Sequence, residues 1–389
     1  MRWYTCTPRR FLGNQSFFDR DSGLTSVGFR MLGVDSMSIM LGPPASDDLP
    51  EVIRASDGQL RDPAWWRSLQ LDGVVFYGWG EGEYLGIARA IAAAGIRLVQ
   101  VSDSHGIFSA LTGLHDYLSS PWHHQWWESQ PKKILRALFK IPYGFTVQLK
   151  KNREMVQLID TGDFFLCAVP QGADKTCRLA EILGGPATAA KVRFLPIPIR
   201  SHFGFTEDDF KEDQVISVGR WDGPQKRQHL LMATIEKAGQ SRPSTRFRIF
   251  GTPTTELDAW HAALPAEIAR RVILEGQQPN PEVALAYRRS RVMLVTASFE
   301  DGHHSSAEAI CSGCSIVGID TPFLAALAWH ASRDSGRLAE NAEPDTVAAT
   351  LVQELEAWDA GERDPHAISA AWCEVFHPDR VASAILHLS

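Results

Sequence analysis

Short runs of β-branched and apolar residues alternate with longer stretches of helical spacing along almost the whole chain. The first half contains SMSIMLG, GVVFYGW, IRLVQVSD, DFFLCAVPQ and KVRFLPIPI; the second contains QVISVGR, RFRIFG, RVILEG, RVMLVTAS and CSIVGID. Strand-length runs recurring between helical patterns predict βαβ units, and with them parallel sheets layered with helices. The rhythm breaks over residues 200–213, RSHFGFTEDDFKED, which are polar, acidic and turn-prone, and a fresh strand begins at Val215. A domain boundary is expected there. It gives one α/β domain over 1–200, a second over 214–365 and a closing segment over 366–389, where the spacing suits two short helices burying Trp372, Phe376 and Ile385. No internal repeat of fixed period is present.

Length agrees with this division. A chain of 389 residues exceeds the roughly 250–300 at which single cores stop growing. No apolar run reaches the roughly 20 residues needed to span a bilayer, and MRWYTCTPRR lacks the apolar stretch of a signal peptide. The six cysteines show no framework of a small secreted domain, so a reducing cytoplasm is the expected compartment. A formal net charge of -7 argues against a protein that wraps nucleic acid, because such binding rests on many Lys and Arg contacts to phosphate.

Candidate chemistry concentrates in the second half. In TASFEDGHHSSAEAICSGCSIVG, Glu300 follows a strand, at the carboxyl end where open α/β sheets bind ligands. Ser305 and Ser306 then open a helix whose free N–H groups favour a phosphate, and Glu308 falls in its first turns. Carboxylates accept hydrogen bonds from hydroxyl groups, so the pair suits a sugar nucleotide. In SVGRWDGPQKRQHLL, Arg220 and Lys226 flank a turn between strand and helix, six residues apart. Both cationic heads can meet one diphosphate there. The GxxxxGK[ST] frame of a P-loop is absent.

These residues resemble the donor-binding domain of the retaining glycosyltransferases of family 4, which have the GT-B fold: two Rossmann-like α/β domains with an interdomain cleft. The resemblance covers about residues 214–360, through GRWDGPQK, RVILEG, PEVALAYRRSRVML and EDGHHSSAEAICSGCSIVG. It implies that Arg220 and Lys226 hold the donor diphosphate, Glu300 touches the donor sugar and Glu308 holds the ribose. Gly219, Gly302, His303, His304 and Ser305 would complete the donor site. It also implies retention at the anomeric carbon, no cofactor and no essential metal, and closing helices that return to the first domain. Where the family has Gly-Phe-Gly after the first glutamate, this chain has Asp301, Gly302 and His303. Two rivals follow: a nucleotide-sugar epimerase or hydrolase of the same fold, and a weakened domain that only binds at a membrane. Trp221, Arg227 and Gln277 are candidates for selecting the base. Cys311 and Cys314 lack the further ligands of a zinc site and read as packing residues.

In the first half, Ser22-Gly23-Leu24 resembles the family's glycine loop, with Gly23 letting backbone approach the donor. Asp19-x-Asp21 reads as loop polarity or an acceptor contact. His105, with Asp103 as its rival, follows the strand IRLVQVSD and corresponds to the family's histidine at the catalytic cleft. Residues 130–153 hold seven Lys or Arg and no acid. Ile134, Leu135, Leu138 and Phe139 are expected on one helical face, opposite Lys133, Arg136 and Lys140. With Lys132 and the preceding Trp122, Trp126 and Trp127, this reads as a face for an anionic membrane surface or an acceptor, on a cytoplasmic protein that binds the membrane peripherally.

Overall fold

The computed structural model describes residues 1–102, 111, 114–119, 130–300, 302–332 and 334–389; side chains at 115, 116, 119 and 130–137 also fall outside the description. Contacts divide the chain into two units, Met1–Ile199 with His377–Ser389, and Arg200–Phe376. Among the described residues no helix is long and apolar enough to cross a membrane.

The first unit is built on seven strands, β1 (Trp3–Thr7), β2 (Ser38–Leu41), β3 (Val52–Ala55), β4 (Gly73–Phe76), β5 (Arg97–Ser102), β6 (Phe164–Cys167) and β7 (Val192–Phe194). All neighbours are parallel, in the order β3-β2-β1-β4-β5-β6-β7. The second holds β8 (Glu212–Arg220), β9 (Arg246–Thr252), β10 (Val272–Gly276), β11 (Ser290–Leu294), β12 (Ser315–Ile319) and β13 (Gly336–Ala339), parallel in the order β10-β9-β8-β11-β12-β13. Such sheets are covered by helices on both faces, which explains why β4 and β12 are buried at every position and read as unbroken apolar runs.

On one face of the first sheet, Leu60, Trp66, Ile87, Ile91 and Leu158 pack over Val74 and Phe76. The other face brings Trp3, Phe29 and Val101 together with Val381, Ala382 and Ile385. Those last three belong to the final helix, Pro378–Leu386, so the end of the chain completes a core begun at its start.

The division falls at the start of the expected boundary stretch, and the tail is placed differently. Residues 200–213 belong to the second unit, held there by Arg288 Nε, 3.2 Å from Asp209 Oδ1, and by Lys211, whose ammonium donates to the carbonyls of Tyr287 at 3.0 Å and Ser312 at 2.8 Å. Burial pulls the Lys211 pKa down to about 8. The helix Pro365–Phe376 also stays with the second unit: Ser369 accepts from the Phe205 amide, and Trp372 packs against Trp329 and His330. Only the final helix belongs to the first unit.

Candidate active site

In the second sheet β8 and β11 are neighbours, and the strands continue outward from them in opposite directions. Ligands of open α/β sheets bind in the crevice beyond the carboxyl ends at such a switch point. β8 ends at Arg220, which is exposed and has no hydrogen bond or ion pair among the described residues. The chain after it is seated firmly. Trp221 buries its indole and donates Nε1 to the Phe250 carbonyl at 2.9 Å. Gly251, at φ 125, lies so close that a Cβ would stand 1.7 Å from the Gly219 carbonyl. Only glycine satisfies both the angle and the approach.

The short turn Pro224–Lys226 is spliced to the loop after β11. Thr296 Oγ1 donates to the Lys226 carbonyl at 2.7 Å, the Ser298 amide to the Gln225 carbonyl at 2.7 Å, and Gln225 Nε2 to the Phe299 carbonyl at 2.9 Å. With both loops fixed, Lys226 Nζ meets Glu300 Oε1 at 2.5 Å, and the two side chains retain 15% and 21% exposure. The Glu300 amide is itself held by the Phe323 carbonyl at 2.9 Å. A cation and a carboxylate, mostly shielded from water but reachable, are therefore fixed at the crevice.

The helix His304–Cys311 begins beside them. Its N-cap is His303 rather than a serine, in the left-handed region at φ 41. His303 Nδ1 accepts the Ser306 amide at 3.2 Å, so its ring proton sits on Nε2. Ser306 Oγ lies 2.9 Å from the His303 carbonyl and 2.6 Å from Nδ1 of His330. His330 Nε2 is buried without a partner, against Trp329, Trp372 and Phe376. A bare nitrogen costs less than an unpaired N–H there, which assigns the proton to Nδ1 and the donation to Ser306. Burial holds both imidazoles well below the ordinary histidine range, so both are neutral.

Glu308 lies one turn into this helix, half-buried. Burial pushes its carboxyl up to about 7, against the opposing pull of His304 and Arg200. No described side chain donates a hydrogen bond to it. An acid in that state gains most from hydroxyl donors, which favour its charged form.

The structure thus brings Arg220, Lys226, Glu300 and the helix bearing Glu308 to one sheet end, with Gly219 beneath the Lys226 stem; His304 is exposed, and Gly302 and Ser305 are half-exposed. Several expected roles change. The His303 imidazole does not face a ligand, because it is buried as the helix cap. Trp221 is a buried support rather than a base-selecting contact. Gly23 is not on a loop: it lies inside the helix Asp21–Met31, where a Cβ would meet the Phe17 carbonyl at 2.2 Å. Lys140 is fully buried, so it is not part of an exposed basic face. Cys311 and Cys314 are fully buried. Asp103, His105, Trp122, Trp126, Trp127 and Asp301 lie outside the described residues, as do the side chains of Lys132, Lys133 and Arg136. Nothing in the local sequence marks Thr296, Ser298, Gln225 or His330, whose roles depend on contacts across the fold.

A parallel two-sheet protein with this crevice has the GT-B architecture, two Rossmann-like domains. Residues 212–357 match the family model for glycosyl transferases group 1. The pneumococcal O-GlcNAc transferase GtfA, in complex with UDP and GlcNAc, is similar with a TM-score of 0.60 at 12% identity, over 100% of this chain and 99% of its own. Anabaena HepE, in complex with UDP and glucose, gives 0.59 at 14%, over 99% and 98%. A putative UDP-N-acetylglucosamine 2-epimerase from Listeria monocytogenes gives 0.55 at 9%, over 99% and 94%. At these identities the likeness is one of fold. Among curated proteins none matches. The matched domain places a glycosyl transferases group 1 segment over residues 212–357, on a fold that the whole chain shares with glycosyltransferases.

Proposed function

We propose that the protein moves a sugar from a nucleotide diphosphate sugar to a glycan or lipid-linked glycan acceptor, with retention at the anomeric carbon and without an essential metal ion. The observation that carries this reading is the Lys226–Glu300 pair, held at 2.5 Å at the switch point where β8 also ends in Arg220, whose side chain has no partner among the described residues. As the bond from sugar to diphosphate breaks, negative charge grows on the leaving group. Fixed cations aimed at that charge are the largest single source of catalysis in such reactions. Lys226 and Arg220 supply them, in the place a metal would otherwise take. Glu300 accepts from hydroxyls of the donor sugar and Glu308 from the ribose. Retention rests on the resemblance of the Glu300 to Glu308 spacing to family 4, and the acceptor is assigned to the first domain, with His105 as the candidate counterpart of the family's histidine. The enzyme is read as cytoplasmic and peripheral on the inner face of a membrane.

Calorimetric titration with UDP, GDP and ADP in chelator tests this. UDP goes first, because HepE and GtfA are held in complex with it. One nucleotide is expected to bind, more weakly to Arg220→Ala and Glu308→Ala; binding of none overturns the reading. The likeness to an epimerase keeps one rival in view: turnover of the donor without any acceptor would replace transfer by epimerisation or hydrolysis.

A further inference from the structure

The corner between the helices Gln130–Phe145 and Val147–Thr161 exposes five large apolar side chains within ten residues. Leu138 is 62% exposed, Phe139 55%, Ile141 44%, Phe145 51% and Val147 45%. A buried lysine explains this orientation. Lys140 Nζ donates to the carbonyls of Tyr117 at 2.7 Å and Leu118 at 3.1 Å, and Tyr117 Oη donates back to the Lys140 carbonyl at 3.0 Å. One turn on, Gly144 lies against the same tyrosine, where a Cβ would come within 2.8 Å of the ring. The face carrying residues 140 and 144 is therefore locked inward. At about 100° per residue, Leu138 and Phe145 then stand about 160° and 140° away, pointing outward.

Charge says what covers this patch. Residues 130–153 hold seven Lys or Arg and no acid; of the four whose side chains are described, Lys140 alone is buried. Lys150, Lys151 and Arg153 are exposed beside the apolar corner, with Glu154, 3.8 Å from Lys150, the first acid that follows. A second copy of the chain would bring like charges together. A glycan would find no hydrogen-bonding partner on leucine, isoleucine, valine or phenylalanine. An anionic bilayer satisfies both features, since apolar side chains enter the acyl boundary while lysines meet the headgroups.

We propose that this helical corner is a membrane-insertion wedge, with Leu138, Phe139, Ile141, Phe145 and Val147 entering the outer few ångströms of an anionic leaflet and Lys150, Lys151 and Arg153 pairing with its phosphates. The proposal rests on the reading of the enzyme as peripheral, and it replaces the basic face with an apolar edge as the inserted surface.

The test is co-sedimentation of the full chain with vesicles of phosphatidylcholine, alone or with about a third phosphatidylglycerol. Wild type is expected to sediment with the anionic vesicles and much less with the neutral ones. Phe139→Ser with Phe145→Ser should lower that partition at least tenfold, and so should Lys150→Glu with Lys151→Glu; all four positions are exposed, so folding is preserved. Wild type left in the supernatant, or variants that sediment like wild type, overturns the proposal. So does a dimer, seen by light scattering, that the phenylalanine variant dissolves. Nucleotide titration of the same variants separates the two readings: vesicle binding without nucleotide binding sinks the transferase and leaves the wedge, whereas nucleotide binding without vesicle binding does the reverse.

Discussion

The two sheets share a strand order at their centres and differ in what they place at the switch point. In the first unit, Arg9 follows β1, and its guanidinium donates to Tyr84 Oη at 3.0 Å and Glu81 at 3.1 Å and stands over Trp79, 4.6 Å from the ring centroid. In the second, the Arg220 side chain ends β8 without a partner among the described residues, while Lys226 and Glu300 are held by a mesh of backbone bonds. At one switch point the cation is tied to neighbouring side chains; at the other, among the described residues, the Arg220 side chain has no such partner. The same topology offers a site twice, and the local residues decide whether it is used.

The largest expected effect tests that contrast directly. Lys226→Ala should lower turnover by about a hundredfold to a thousandfold, the cost of removing one preorganised group from a developing negative charge. Arg9→Ala should leave nucleotide binding and turnover unchanged. Equal losses from both would erase the distinction, and steady-state kinetics on the two variants decides it.

Next comes a test of the chain end. Ile385 is almost fully buried with Trp3, Phe29 and Val381, so Ile385→Ala should cost about 2–5 kcal/mol. Hydrogen exchange should show opening in β1, β4 and β5 while β8 and β11 stay protected. Opening in both sheets would mean that the two units unfold as one.

Glu308 should make nucleotide binding depend on pH. Its carboxyl titrates near 7 in the free protein, and hydroxyl donors favour the charged form. Binding below that pH therefore releases a proton, and affinity rises with pH until about 7 and then levels off. Calorimetry in two buffers of different ionisation enthalpy reads the proton directly. Glu308→Gln should abolish the release and weaken binding roughly tenfold at higher pH; a proton still released by that variant would move the role elsewhere.

The smallest effect concerns the cap. Burial holds His303 and His330 neutral, well below the ordinary histidine value of about 6.5, so the unfolded chain takes up protons first as pH falls. Their contribution to stability is full above 6.5 and is lost as pH drops toward the folded values. Between about 4.5 and 7 Glu308 works in the opposite sense, so variants are more telling than the raw profile. His303→Ala should cost about 1 kcal/mol through the lost cap. His330→Phe should weaken nucleotide binding a few-fold with His303 present and have little effect beside His303→Gly, because glycine adopts the left-handed turn unaided. Denaturant titration and calorimetry on these four variants would show whether the two histidines act as one chain.

Strands were legible because a strand buried on both faces declares itself in consecutive residues. RVMLVTAS and CSIVGID became β11 and β12 with all of their strand positions buried except Arg291. Arg220, Lys226, Glu300 and Glu308 were legible for a related reason: each is placed by the strand end or helix start next to it in sequence. The boundary was legible to within the polar stretch 200–213, but polarity there says nothing about which unit holds it, which Lys211 decides by reaching carbonyls at 287 and 312.

The sequence by itself determined two parallel α/β layers and the four charged residues of the second one, since these follow from local runs and spacings. Which way the other side chains face was decided only in the folded chain. Lys140 turns inward because Tyr117 and Leu118 offer it carbonyls, His303 caps a helix whose Ser306 is braced by His330, and Gly23 packs on the Phe17 backbone. A residue's spacing fixes the element it joins, but its orientation is set by the distant group that satisfies its charge, its hydrogen bond or its volume.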